Sequence, residues 1–488
     1  MLDLLIAISR WVFLSIIICF LALGAHYIFG ERGLTQADTK SASLRQRILI
    51  VLMHSLAFSI LLMQNGQFQT TALVTGVGGL AFLLLAMALC ERVYKNSDPL
   101  MWNAMFFLLD IGFIMLQRFA PVLPQRQLVA QKQLAISAIG FGVMLIVPLA
   151  LKIIPRFEKL KWLYLALGLA LLVSPFILGE RINGAFGWAT LAGVTFQASE
   201  IVKLLFVFYL ASALYNEPKR KDLAIVCVAG MAFVLLLAAQ RDLGGALIYF
   251  MTFAIMLYTA TNKPVLFIAG GAAVGGLTVL GYNLLTRLDT LSAAWSKPWS
   301  SLANQISIFF RHVTIRVSVW QNPWADVSDT GYQLTQSLFA ITTYGLTGIG
   351  LTRGGSHIIP VVERDFIFAA ICEEFGVLFA LLLIGVLILL FYRGVHIALR
   401  CQSPLYAFLS VGLTAILAFQ TFIIIGGDIK LIPMTGVTLP FVSYGGTSVF
   451  VCIVMVGVLQ WLYNMVPVKE KERRRARPRP AKEATSVD

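Results

Sequence analysis

Residues 366–392 read FIFAAICEEFGVLFALLLIGVLILLFY, a run in which only Glu373 and Glu374 carry charge. A helix needs roughly 20 apolar residues to cross the ~30 Å hydrocarbon core of a bilayer, and this run exceeds that. The stretch is written for lipid rather than water, and a single helix from Asp365 to Tyr392 is predicted. Runs of the same kind recur near 11–29, 48–64, 71–90, 101–117, 134–154, 162–179 and 198–215. Others lie near 223–239, 244–260, 264–285, 404–426 and 444–465. The expectation is an all-α polytopic membrane protein with about thirteen transmembrane helices.

Composition agrees with that reading. Hydrophobic residues make up 58% of 488 positions and charged residues 13%, with a mean hydropathy of +0.82. A water-soluble domain carries about twice that share of charge. The six cysteines lie in or beside apolar runs without a CxxC pair, so neither a disulfide framework nor a zinc site is indicated. The net charge of +14 is spread between apolar runs and in the tail instead of forming one stripe, which argues against nucleic acid as a partner.

Those basic residues orient the chain. One alternate set of connections holds most of the short-loop Lys and Arg, including Arg45, Arg92, Lys152, Lys159, Arg220, Arg393 and Arg400. Positive loops face the cytoplasm, so the N-terminus is expected outside and the C-terminus on the cytoplasmic side. The tail at 468–488 reads as a disordered basic segment on the cytoplasmic side. The long connection, 286–364, then faces outward, and its partly apolar stretches Ser300 to Trp320 and Gln333 to Leu351 read as interfacial or re-entrant helices.

Several polar residues are costly at membrane depth. Glu200 and Lys203 stand three apart at the start of an apolar helix, on one face, where they can pair. Such a pair either locks the helix or presents an ammonium to an anionic headgroup. Arg241 and Asp242 sit in a turn before Gly244 and Gly245, which suits either phosphate contact or ordinary turn chemistry. Asp365 either caps a helix or acts as a general base at the edge of a dry cavity. Glu373 and Glu374, a few turns deeper, are expected to be buried and partnered or protonated. The string PMTGVTLPFVSYGGTS, Pro433 to Ser448, has the prolines and glycines of irregular backbone that lines a cavity.

Taken together, these strings resemble the SEDS family (shape, elongation, division and sporulation), the RodA and FtsW type of cell-wall polymerase. The resemblance runs through FQASEIVK (196–203), QRDLGGA (240–246), WQNPWADVSDTGYQ (320–333), DFIFAAICEEFG (365–376) and GVTLPFVSYGGTS (436–448). It implies a peptidoglycan glycosyltransferase that polymerises lipid II, a disaccharide-pentapeptide on undecaprenyl pyrophosphate. It places the catalytic aspartate at Asp365 and substrate contacts at Glu200 and Lys203. Arg241, Asp242, Arg316, Arg364 and Ser443 complete the expected substrate-binding set. A class B penicillin-binding protein is the implied partner, and a divalent cation, Mg or Mn, is the one cofactor left open. The chain departs from the family at Gly187, Ala198, Arg241 and Val361.

The resemblance also divides the chain into an extension of three helices at 1–100, a polymerase-like core at 101–467 and the tail. The extension is similar to that of a longer RodA-like branch of the family. Two other functions fit the same features: a transporter of lipid-linked precursor, and a non-catalytic scaffold for a transpeptidase.

Overall fold

The computed structural model describes residues 2–30, 36–94, 96–123, 126–154, 156–178, 187–191, 194–216, 219–292 and 299–465. The basic tail expected at 468–488 lies outside the described residues. The chain opens with α1 (Leu2–Gly30), α2 (Gln36–Leu61) and α3 (Thr70–Val93). Next come α4 (Pro99–Phe119), α5 (Val129–Ile153) and α6 (Lys161–Leu178). A small antiparallel hairpin, β1 (Trp188–Leu191) and β2 (Val194–Gln197), pairs Trp188 with Gln197 and feeds directly into α7 (Ala198–Leu214). The helices α8 (Arg220–Ala239), α9 (Leu243–Thr261) and α10 (Pro264–Ser292) follow. The long connection carries α11 (Trp299–Gln321), α12 (Tyr332–Thr342) and the single turn α13 (Val362–Asp365). The chain closes with α14 (Ile367–Phe375), α15 (Val377–Arg400), α16 (Pro404–Asp428) and α17 (Gly446–Met465).

Among the described residues, 11 helices are long and apolar enough to cross a membrane. Of the remaining expected spans, 198–215 is helical as the 17-residue α7, and 264–285 lies within α10. The chain is an all-α polytopic membrane protein with, among the described residues, one hairpin. Of the two helical stretches expected in the long connection, Ser300 to Trp320 lies within α11, whereas Gln333 to Leu351 is helical only as far as Thr342, in α12, and continues as turns.

The span expected to run unbroken from Asp365 to Tyr392 is divided. Gly376, at φ 94, separates α14 from α15. A side chain there would strike the Leu346 carbonyl, because the 345–350 segment lies against the break. That segment satisfies the freed backbone groups: Ile349 N donates to Glu373 O (2.9 Å), Gly350 N to Glu374 O (2.9 Å), and Leu378 N to Leu346 O (3.2 Å). Irregular backbone at membrane depth survives only with such partners. Glu373 and Glu374 are buried, as expected. Their carboxylates accept from the backbone N–H groups of Thr352, Gly354, Gly355 and Ser356 at 2.8–3.1 Å, and Arg118 Nε donates to Glu374 at 2.5 Å.

Helix α4 is the axis of the packing, with 94% of its span buried. Gly112 on α4 allows the irregular 433–445 segment to come close, since a Cβ there would sit 2.8 Å from Phe441 O. Asp98 caps α4 through Leu100 N (3.0 Å) and is ion-paired with Arg393. Arg393, expected among the cytoplasmic loop charges, is therefore a fully buried structural cation.

The three N-terminal helices pack onto this core. Gly24 of α1 abuts Leu389 of α15, and the Phe13 and Phe375 rings stand 5.2 Å apart. His54 of α2 binds Asp110 of α4 through Nδ1 (2.5 Å) and the Gly76 carbonyl of α3 through Nε2 (2.8 Å). A carbonyl only accepts, so Nε2 carries a proton. Arg10 of α1 donates to Gly348 O (2.9 Å), and Asp3 is ion-paired with Arg353. The extension thus grips the same segment that braces the break at Gly376.

Candidate functional site

Two clusters of polar side chains meet at Gly436. The first is built on the opening turn of α7. Lys203 Nζ donates to Glu200 Oε1 (2.7 Å) and to Gln420 Oε1 of α16 (2.8 Å). Both charged residues are buried, with Lys203 only 2% exposed. Gln420 is oriented in turn by donating through Nε2 to Thr438 O (2.8 Å) and Ser448 Oγ (3.2 Å). Asp242 faces the same space. It caps α9 by accepting from Gly245 N (2.7 Å) and also accepts from Ser199 Oγ (3.2 Å). A small pocket results, lined by Gln197, Glu200, Lys203, Asp242, Gly436 and Thr438.

The second cluster centres on Asp365. It ends the turn α13, whose entry at Val361 has φ 62, and its amide N donates to Val361 O (3.1 Å). Helix α14 receives no side-chain cap, so the capping reading of Asp365 falls. Its Oδ2 and the Nη2 of Arg316 approach within 3.5 and 3.8 Å of the point a Cβ on Gly436 would occupy. Gly436 itself has φ 78 and lines the pocket of the first cluster. Arg316 reaches here from α11 and donates through Nη1 to Thr435 O (3.0 Å). Burial pushes the Asp365 carboxyl up to about 6, while the positive charges of Arg364 and Arg316 pull it back. Burial likewise lowers the Arg316 guanidinium, offset by Asp365 and Asp242. The effect is a carboxyl poised near neutrality beside a cation, an arrangement suited to proton abstraction.

The remaining expected residues divide. Arg364 lies beside Asp365, its guanidinium over the rings of Tyr444 and Trp188. Arg241 takes φ 66 in the turn leading to α9, and is not among the residues lining the pocket. Ser443 is fully buried, and its hydroxyl donates to Arg364 O (2.6 Å) and accepts from Leu439 N (2.9 Å). Both of its bonds hold protein backbone, so it anchors the turn that carries Asp365. Gln420 and Gly436 were not anticipated. Gln420 was visible as an amide inside an otherwise apolar run, the same signal that marked Glu200.

A buried acid–lysine pair, a carboxyl with raised proton affinity and Arg316 from the long connection are thus gathered around one small pocket. The model of the cell cycle protein family that groups FtsW, RodA and SpoVE matches residues 99–465, and the chain belongs to that family. It is 29% identical over 409 residues to the peptidoglycan glycosyltransferase RodA of Mycobacterium tuberculosis (strain ATCC 25618 / H37Rv), covering 78% of this chain and 81% of that protein. It is 32% identical over 401 residues to the probable peptidoglycan glycosyltransferase FtsW of Alcanivorax borkumensis, covering 76% and 95%. Its fold is similar to a solved chain from a peptidoglycan synthase complex that coordinates polymerization and crosslinking. That match has a TM-score of 0.56 at 24% identity, over 78% of this chain and 99% of the other.

Proposed function

We infer that the chain is a peptidoglycan glycosyltransferase that polymerises lipid II into glycan strands. The observation that carries this reading is the Asp365 carboxyl, raised to about 6 and set beside Arg316 over the bare Cα of Gly436. Ionised Asp365 accepts the proton of an acceptor sugar hydroxyl. The freed oxygen bonds to the donor's anomeric carbon, whose bond to the pyrophosphate oxygen breaks with its electron pair. Arg316 and Lys203 offset the charge that develops on the departing lipid pyrophosphate. Glu200 and Gln420 hold the Lys203 ammonium in place, because a long flexible side chain aims its charge only when its partners fix it.

Among the described residues no group of three or more His, Cys, Asp and Glu side chains is placed to hold a metal. Glu200 and Asp242 are the carboxylates that line the pocket. A divalent cation, Mg or Mn, would need the pyrophosphate oxygens to complete its shell there. The reading places the N-terminus outside the cytoplasmic membrane and the C-terminus inside, with α11 to α13 on the outer side and a class B penicillin-binding protein as partner.

Purified protein given labelled lipid II tests the reading. Polymer from the wild type and none from Asp365→Ala is the expected result. Movement of lipid II across vesicle membranes without polymer would replace the polymerase with a transporter.

A further inference from the structure

Arg364 differs from the other cations near Asp365 in how its charge is met. Lys203 is held by Glu200 and Gln420, and Arg316 donates to Thr435 O. The Arg364 guanidinium carbon instead lies 5.3 Å from the centre of the Tyr444 ring and 6.0 Å from that of Trp188. Its Nε is buried and has no hydrogen-bond partner among the described residues. Aromatic faces attract a guanidinium without neutralising it, and they leave its N–H edge available for a planar oxyanion.

A second guanidinium stands close by. Arg126, in the turn between α4 and α5, is ion-paired with Glu363, the chain neighbour of Arg364, and its side chain is 41% exposed. Burial and the positive charge of Arg364 both hold Arg126 below its usual range. Arg126 has Glu363 as its partner and Arg364 lies in the field of Asp365, yet the two guanidiniums still repel each other, and an anion between them would relieve that. The backbone beneath is fixed: Tyr444 N donates to Glu363 O (2.8 Å), and Ser443 Oγ donates to Arg364 O (2.6 Å). Neither arginine lines the Glu200–Lys203 pocket.

We propose that Arg364 and Arg126, backed by Trp188 and Tyr444, form a second oxyanion site, separate from the pocket, that holds the substrate whose pyrophosphate is not cleaved. The proposal rests on the glycosyltransferase reading, in which two lipid-linked molecules meet at Asp365 and only one loses its phosphates. The other still carries two kinds of oxyanion, its pyrophosphate and its peptide carboxylates, and both suit a guanidinium fork.

Binding to the full chain in detergent separates these sources. The probes are undecaprenyl pyrophosphate and a phosphate-free disaccharide-pentapeptide, each titrated against wild type, Arg126→Gln, Arg364→Gln and Arg364→Lys. At least one probe is expected to bind about tenfold more weakly to each Gln variant, the loss of one charge-assisted contact. Arg364→Lys remains weak, because an ammonium cannot form the fork. Loss confined to undecaprenyl pyrophosphate assigns the site to phosphate, and loss confined to the peptide probe assigns it to carboxylate. Binding of both probes within about twofold of wild type in folded Arg126→Gln and Arg364→Gln protein overturns the proposal. If Arg364→Gln does not fold, the part-exposed Arg126→Gln decides alone. Wild type that shows the arginine-dependent binding yet makes no polymer would overturn the glycosyltransferase reading and leave the site standing.

Discussion

Asp365 and Arg316 meet over Gly436, with Oδ2 of the one and Nη2 of the other within 3.5 and 3.8 Å of the place where any larger residue would carry its Cβ. A glycine at φ 78 thus keeps open the space between a carboxylate and a cation drawn from separate elements, α13 and α11. Gly436→Ala puts a methyl group into that space and forces a left-handed backbone on an L residue, costing about 1–2 kcal/mol. The expected outcome is protein that still folds, with a modestly lower melting temperature, and polymerises lipid II at least tenfold more slowly, about 1.4 kcal/mol on the barrier.

With Asp365 as the proposed base, its ionised form sets the pH dependence. With the carboxyl raised to about 6, kcat should rise with pH through that value and level off above it. Arg364 pulls the Asp365 pKa down, so Arg364→Gln should move the rising limb to higher pH. A profile flat from pH 5 to 8 in the wild type would remove Asp365 from the role of base.

Lys203→Ala leaves Glu200 buried without its cation, a loss of about 3–5 kcal/mol for a broken buried pair. Glu200→Gln combined with Lys203→Met removes both charges and should recover much of that stability without recovering polymer. Thermal unfolding beside a polymerisation assay distinguishes a helix-locking pair, for which activity would return with stability, from a substrate-facing one.

Arg10 ties the first helix to the segment that braces the break before α15, through Gly348 O at 2.9 Å. Arg10→Ala should therefore lower kcat several-fold with KM little changed, and Arg10→Lys should restore part of it. An unchanged kcat would confine α1 to passive packing.

Added chelator should slow polymerisation if Glu200 and Asp242 hold a divalent cation, with restoration by Mg or Mn. Equal rates with and without chelator would assign the charge neutralisation to Lys203 and the arginines alone.

The membrane class of the fold was legible because hydropathy depends on local composition: a run of apolar residues announces a span whatever it packs against. Glu200, Lys203 and Asp365 were legible for a related reason, since charges and amides at membrane depth are expensive and stand out against apolar neighbours. Register and partnership were not. Nothing local in residues 366–392 says that the helix breaks at Gly376, because the break exists only where the Leu346 to Gly350 backbone arrives to take up the freed hydrogen bonds. Arg393 read as a loop charge until Asp98, far away in the chain, proved to be its partner. The bonds by which Ser443 braces Arg364 O and Leu439 N were equally invisible in the local sequence. By itself the sequence determined that this chain lives in a bilayer and which of its residues are costly there. Tertiary structure decided how those costs are met, as Glu200 and Gln420 meet Lys203 and Asp98 meets Arg393, because such partners come together only when distant segments pack.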